Sequence, residues 1–165
     1  MSDIAIRPAL PADAGALARI YNHYVKETIV TFEEEEVPEG EMSGRLEEIR
    51  GAALPWLVAE QAGNLLGYAY ASMWKSRRGY RFTAEVTVYL DPGSGGRGIG
   101  SSLYRELLPT VQSCGFHAAI GVIALPNDAS VALHEKFGFA KAAHFREVGL
   151  KFGRWIDVGY WERIF

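Results

Sequence analysis

Val88-Tyr89-Leu90-Asp91-Pro92-Gly93-Ser94-Gly95-Gly96-Arg97-Gly98-Ile99-Gly100-Ser101-Ser102 is the stretch that decides the fold of this 165-residue chain. Upstream, Phe82 to Leu90 carries the β-branched and aromatic residues of a strand. Downstream, Ile99, Leu103, Leu107 and Val111 recur every four residues and predict an amphipathic helix. Glycines between a strand and a helix let backbone N–H groups converge beside the positive end of the helix dipole. Such a place suits a phosphate or pyrophosphate, and a purely structural loop is the plainer alternative. The chain holds 18 glycines, about 11% against a usual ~7%, and five of them fall between Gly93 and Gly100.

The same letters admit other nucleotide readings, and context decides among them. Gly93, Gly95 and Gly98 spell G-x-G-x-x-G, the dinucleotide fingerprint. That fingerprint opens a βαβ unit with an acid about 20 positions on. Here it follows an antiparallel run in mid-chain, and no acid closes the next strand, Ala118 to Ala124. A P-loop needs Gly-Lys-Ser/Thr, and Gly100 is followed by Ser101-Ser102 without the lysine.

Working outward, Ile4 to Arg7 reads as a first strand, and Asp13 as the cap of a helix bearing Leu17, Ile20 and Tyr21. Val30-Thr31-Phe32 leads into Glu33 to Glu36, a solvated edge or loop. Met42 to Arg50 predicts a second helix, and Pro55 precedes a strand, Trp56 to Glu60. Gly63-Asn64 signals a hairpin turn into Leu65 to Trp74. Pro109 should kink or shorten the helix after the glycine loop. Asn127 or Asp128 can cap a short helix over Val131, Leu133, His134 and Phe137, stopped by Gly138. Strands near Ala140 to Val148 and Val158 to Ile164 close the chain. The expectation is one domain over residues 1–165, an α/β chain of the α+β type with a mixed, mostly antiparallel sheet and helices on both faces.

Composition excludes several classes. A hydrophobic fraction of 48% argues against a disordered chain. A net charge of −3 argues against a nucleic-acid partner. No apolar run approaches the roughly 18 residues of a membrane span, and the N-terminus shows no signal-peptide pattern, so no membrane partner and a cytoplasmic place are expected. The single cysteine, Cys114, allows no internal disulfide and no multi-cysteine zinc site, and no metal is expected.

From Thr83 onward the chain resembles the GNAT superfamily of acyl-CoA-dependent N-acetyltransferases. Val88-Tyr89-Leu90 followed by Gly95-Gly96-Arg97-Gly98-Ile99-Gly100 is similar to its strand and its Q/R-x-x-G-x-G/A pyrophosphate loop. Asn127-x-x-Ser130 and Leu133-His134-Glu135-Lys136-Phe137-Gly138-Phe139 are similar to its second CoA-contacting segment. The resemblance narrows to the phosphinothricin and methionine sulfoximine acetyltransferase group. It rests there on Ile20 to Tyr24, Trp56 to Glu60, Gly67 to Ala71, Trp74 to Arg77, Thr83 to Glu85, Leu125 to Asp128 and Lys151 to Trp155, nearly end to end. It implies acetyl-CoA as co-substrate, bound through Val88, Tyr89, Leu90, Gly95, Gly96, Arg97, Gly98, Ile99, Gly100, Asn127 and Ser130. It also implies a homodimer. Two departures stand out. Gly95 replaces the loop's usual Gln or Arg, so CoA affinity is weaker or is supplied by Arg97. His134 stands where the superfamily often has Tyr, as in the phosphinothricin group, so the tyrosine general-acid role does not carry over.

Acetyl transfer to an amine needs a neutral nitrogen, a stabilised oxyanion and a protonated leaving thiolate. Glu85, in an apolar strand, can accept the ammonium proton with a pKa raised by desolvation; an outward-facing strand carboxylate is the alternative. His134 titrates near neutrality and can relay a proton or hydrogen-bond the acceptor, or simply satisfy a backbone group within the helix. A backbone N–H of the Val88–Leu90 strand can hold the oxyanion, and resemblance implies that the main chain of Val88 and Leu90 also pairs with the pantetheine arm. Trp74 to Phe82 packs four cations and three aromatics into nine positions. Trp74, Lys75, Arg77 and Tyr80, with Phe32, and beyond them His23 and Trp155, are candidate acceptor residues. The expected activity is direct acetylation of the α-amino group of a small anionic amino-acid analogue of phosphinothricin or methionine sulfoximine/sulfone type. Two alternatives remain open: acetylation of another amine (a polyamine, an aminoglycoside or a protein N-terminus), or a non-catalytic acyl-CoA sensor.

Overall fold

A computed structural model describes residues 3–165. Met1 and Ser2, part of the expected 1–165 span, lie outside the described residues. The strands are β1 (Ala5–Pro8), β2 (Trp56–Gln61), β3 (Asn64–Met73), β4 (Thr83–Leu90), β5 (Ala118–Leu125), β6 (Ala140–Lys151) and β7 (Arg154–Ile164). The α-helices are α1 (Ala14–Glu27), α2 (Glu39–Gly51), α3 (Ile99–Ser113) and α4 (Asp128–Lys136). The sheet order is β1-β2-β3-β4-β5-β7-β6. Among the described residues only β4 and β5 run parallel; the other neighbours are antiparallel. The mixed, mostly antiparallel sheet expected from sequence is the one observed.

Strand alternation feeds two cores. On one face, Leu57, Ala59, Ala69, Ala71, Ala84 and Val86 pack against Leu103, Tyr104, Leu107 and Val111 of α3. On the other, Trp56, Val58 and Tyr68 meet Leu17, Ile20 and Tyr21 of α1 and Met42 and Leu46 of α2. On that second face no helix among the described residues covers β5, β7 and β6, and Val122 and Phe145 are exposed there.

Several local expectations are corrected. Pro109 neither breaks nor shortens α3, which continues to Ser113. Both Pro109 and Arg105, whose carbonyl loses its partner, lie on the exposed side, where water can satisfy the group. Asp13 makes no side-chain cap for α1; its carboxylate accepts from Leu10 N at 2.7 Å and from the Arg7 guanidinium at 2.8 Å. The β2–β3 turn is Ala62-Gly63, both at positive φ, so Asn64 already opposes Gln61. Likewise Phe152 and Gly153 take positive φ as a tight turn, which lets β6 run to Lys151 and β7 start at Arg154, four residues before Val158. Glu34, Glu35 and Glu36 are solvated as expected, whereas Glu33 is half-buried and paired with Arg45.

Candidate functional site

The parallel pairing of β4 with β5 holds at three positions only: Thr83 with Ala118, Ala84 with Ala119 and Glu85 with Ile120. Beyond Glu85 the two strands part. Each stays fully laddered on its far side, β4 to β3 through Leu90 and β5 to β7 through Leu125. A cleft therefore opens between them, lined by Val86, Thr87, Val88, Tyr89, Val122, Ile123, Ala124 and Val30, and by Asn127, Ser130 and His134 of the following segment.

A splayed strand leaves backbone groups without a ladder partner, and such groups must find another. Leu90 has found one: the Tyr24 hydroxyl donates to its carbonyl at 2.6 Å and accepts from its N–H at 3.3 Å. Val88, two residues earlier, points its N–H and carbonyl the same way, into the cleft. Of the two main-chain partners expected for pantetheine, Val88 is thus open, and Leu90 is engaged by α1.

At the cleft's outer end the chain turns through Pro92–Ser94, and Gly96 and Gly98 both sit at φ 75°. Gly98 in the left-handed region is the N-cap of α3, so the first N–H groups of that helix face outward. Nothing lies within 4 Å of where a side chain would begin at Gly95, Gly96 or Gly98. That open cradle, with free N–H groups and a helix dipole, fits a pyrophosphate. Ile99 and Gly100 are buried, and Gly100 packs closely against Leu133 of α4. Arg97 is exposed and donates to Gln61 at 2.7 Å. Lys136, part of the expected CoA-contacting segment, reaches from α4 to the Ser101 hydroxyl at 2.9 Å and so stands over the first turn of α3.

Asn127 rather than Asp128 caps α4, its side chain accepting from Ser130 N at 3.2 Å. One turn on, His134 is buried against the bare Cα of Gly121, where a Cβ would lie 2.4 Å from Nε2. Its Nδ1 lies 2.7 Å from the Ser130 carbonyl, which can only accept, so Nδ1 carries the proton. Nε2, 3.0 Å from the Tyr104 hydroxyl, is then an acceptor. Burial holds this imidazole below its ordinary 6.5, against the opposing effect of the Ser130 carbonyl. Tyr104, itself buried and raised by burial, is a partner that no local sequence signal reveals.

Glu85 is half-buried at the fork where β4 and β5 separate. Burial raises its carboxyl above the ordinary value, opposed by the Lys75 ammonium. Beside it, on the uncovered face of β5, β7 and β6, runs a groove of about 340 Å³ lined by Trp74, Lys75, Ile120, Ala142, Ala143, Phe145, Tyr160 and Glu162. Of the candidate acceptor residues, Trp74 and Lys75 line this groove. Tyr80 backs Trp74 edge-on at 5.2 Å, and Arg77 is solvent-facing. Phe32 stands apart, its ring pressed on the Cα of Gly149 in β6. His23 packs on Tyr24, and Trp155 is exposed on β7; neither lines the groove. Phe145, Tyr160 and Glu162 were not legible as site residues, because only strand register carries them there.

The architecture has counterparts among known proteins. Residues 6–159 match the family described as "Acetyltransferase (GNAT) domain". Phosphinothricin N-acetyltransferase of Streptomyces viridochromogenes is 43% identical over 98% of this chain and 88% of its own length. The L-methionine sulfoximine/L-methionine sulfone acetyltransferase of Salmonella typhimurium is 36% identical over 95% of this chain and 92% of its own. The crystal structure of a GNAT superfamily phosphinothricin acetyltransferase from Sinorhizobium meliloti in complex with acetyl-CoA superposes with a TM-score of 0.95 at 36% identity, covering 99% of this chain and 89% of that one. Open strand backbone, glycine cradle and end-to-end similarity agree: the chain belongs to the GNAT family of acetyl-CoA-dependent N-acetyltransferases.

Proposed function

We propose that residues 1–165 form one catalytic domain that transfers acetyl from acetyl-CoA directly to the α-amino group of a small amino acid of the phosphinothricin or methionine sulfoximine/sulfone type. The observation that carries this reading is the position of Glu85. It sits at the fork, where the cleft with its open Val88 backbone meets the groove holding Lys75.

Glu85 takes the proton of the acceptor ammonium, directly or through water. Its raised pKa makes it a better base than an exposed carboxylate. The Val88 N–H is the donor available for the developing oxyanion. Lys75 supplies the cation for the acceptor's α-carboxylate. His134 serves as a positioning residue, because both ring nitrogens are engaged; neutral and fixed, it ties α4 to Tyr104 on α3 and forms the cleft wall. Ser130 lines the cleft with its hydroxyl 3.4 Å from His134 Nδ1, but that nitrogen carries a proton directed at the Ser130 carbonyl. It is no base for the hydroxyl, which supports direct attack over an acyl-enzyme.

We further read the enzyme as a cytoplasmic homodimer. Exposed Phe145, Val148, Leu150, Phe152 and Trp155 on the β6–β7 hairpin form the kind of apolar surface that a second copy covers. Acetyl-CoA supply supports the cytoplasm, and no α-helix among the described residues is long and apolar enough to cross a membrane. Incubation with acetyl-CoA and L-methionine sulfoximine, L-methionine sulfone or L-phosphinothricin, following thiol release, tests the function. Turnover on at least one supports it; no turnover on any overturns the substrate class.

A further inference from the structure

The groove beside Glu85 is electrostatically asymmetric. Register places Glu85, Ile120 and Glu162 in one row across β4, β5 and β7, with their side chains on the same face. Two strand spacings, about 10 Å, separate the backbones of the two glutamates, with Ile120 as the floor between them. The Lys75 ammonium acts on Glu85 at one end of the groove. At the other end Glu162 is exposed, and its carboxylate makes no ion pair or hydrogen bond among the described residues. Between them the walls are apolar: Trp74, Ala143, Phe145 and Tyr160.

We propose that Glu162 is a specificity-determining residue, selecting acceptors whose side chain ends in a neutral group bearing a hydrogen-bond donor and rejecting those that end in an anion. The inference rests on the acceptor reading of the groove given above. With its amine at Glu85 and its α-carboxylate at Lys75, an amino acid of methionine length lays its side chain along Ile120 and brings its far end toward Glu162. An unpaired carboxylate there accepts a hydrogen bond from a donor and repels a second negative charge. The apolar walls suit a terminal methyl. A sulfoximine offers both an N–H and a methyl. A sulfone of the same shape offers the methyl with acceptors only. A phosphinate offers the methyl with a full negative charge. Glu162 therefore separates two acceptor types that the α-amine chemistry alone treats alike.

The test compares kcat/KM for L-methionine sulfoximine, L-methionine sulfone and L-phosphinothricin in wild type, Glu162→Gln and Glu162→Ala. The wild type should rank them in that order. Glu162→Gln should narrow the sulfoximine-to-phosphinothricin ratio at least about tenfold, mainly through the KM for phosphinothricin, with the pH profile set by Glu85 unchanged. Because Glu162 is exposed, both variants should keep the wild-type Tm. A ratio indifferent to both substitutions, or a wild type that prefers phosphinothricin, overturns the role of Glu162 while leaving the acetyltransferase reading standing. Failure of the wild type to acetylate any of the three overturns the acceptor reading itself, and the inference with it.

Discussion

Glu85 and Ile120 are the last paired residues of β4 and β5 before the strands diverge, so the one titratable side chain of the fork lies where the cleft and the groove meet. β4 is satisfied by β3 along its whole length, which lets it open on one side without unravelling. A carboxylate at this point is fixed by two ladders, half-shielded from water, and within the field of Lys75.

Glu85→Gln should lower kcat/KM by roughly 10²–10⁴-fold near pH 6–7, the usual contribution of a positioned general base. The wild-type rate should fall with decreasing pH as Glu85 is protonated, in a range shifted upward from the ordinary 4.5 of a glutamate by its burial. In the variant only pre-existing free amine reacts, so the deficit should shrink as pH rises toward the amine pKa. A variant with the wild-type pH–rate profile would remove Glu85 from this role.

The same shift has a consequence for stability. A carboxyl whose folded pKa is raised stabilises the folded state below 4.5 and loses that contribution as pH rises through the folded value. Glu85→Gln should therefore be more stable than wild type at neutral pH, with the gap closing in acid. Calorimetric Tm values at pH 4 and pH 7 measure it.

His134 works in the opposite sense. Its folded pKa lies below 6.5, so the unfolded chain binds more protons as pH falls through 6.5, and stability drops. His134→Gln, which stays neutral, should flatten the dependence of Tm on pH between 5 and 7. An unchanged slope would mean that His134 is not held neutral in the fold.

Gly121 has no room for a side chain, since a Cβ would stand 2.4 Å from His134 Nε2. Gly121→Ala should cost about 1–3 kcal/mol by overpacking, lowering Tm by roughly 3–10 °C, and should reduce kcat by displacing the cleft wall. Wild-type stability in this variant would show that the His134 contact is slack.

Much of the fold and site is readable in the sequence alone. The glycine run, bounded by a β-branched strand and a four-residue apolar period, placed the cradle between β4 and the start of α3, because those signals are local. Glu85 was visible as an acid in an apolar strand. Local signals failed where long-range pairing decides. Tyr104 is one of several apolar-face residues on α3, and only the packing of α4 makes it the partner of His134. Phe145, Tyr160 and Glu162 reach the groove through the register of β5, β7 and β6, which no window of sequence contains. The contact of the Phe32 ring with the bare Cα of Gly149 in β6 is likewise made by tertiary packing and not by any local pattern.

The glycine cradle offers a test by gain as well as loss. Gly95 has φ −62° and ψ 152°, a conformation open to any residue, with nothing within 4 Å of a new Cβ. Gly95→Gln should lower the KM for acetyl-CoA about three- to tenfold, and Arg97→Ala should raise it by a similar factor, as expected for one exposed phosphate contact. Both should leave kcat close to wild type. A change in kcat with unaltered KM would place these residues outside the phosphate site.

The central claim, direct acetyl transfer to an amino-acid α-amine, is tested most directly by measuring thiol release and N-acetylated product together in one reaction of wild-type protein, acetyl-CoA and L-methionine sulfoximine. One thiol released per molecule of N-acetyl product, with both lowered in step by Glu85→Gln, is the predicted result. Saturable acetyl-CoA binding with neither thiol nor product, from this acceptor and from a broad panel of amines, would contradict it and leave an acyl-CoA sensor in its place.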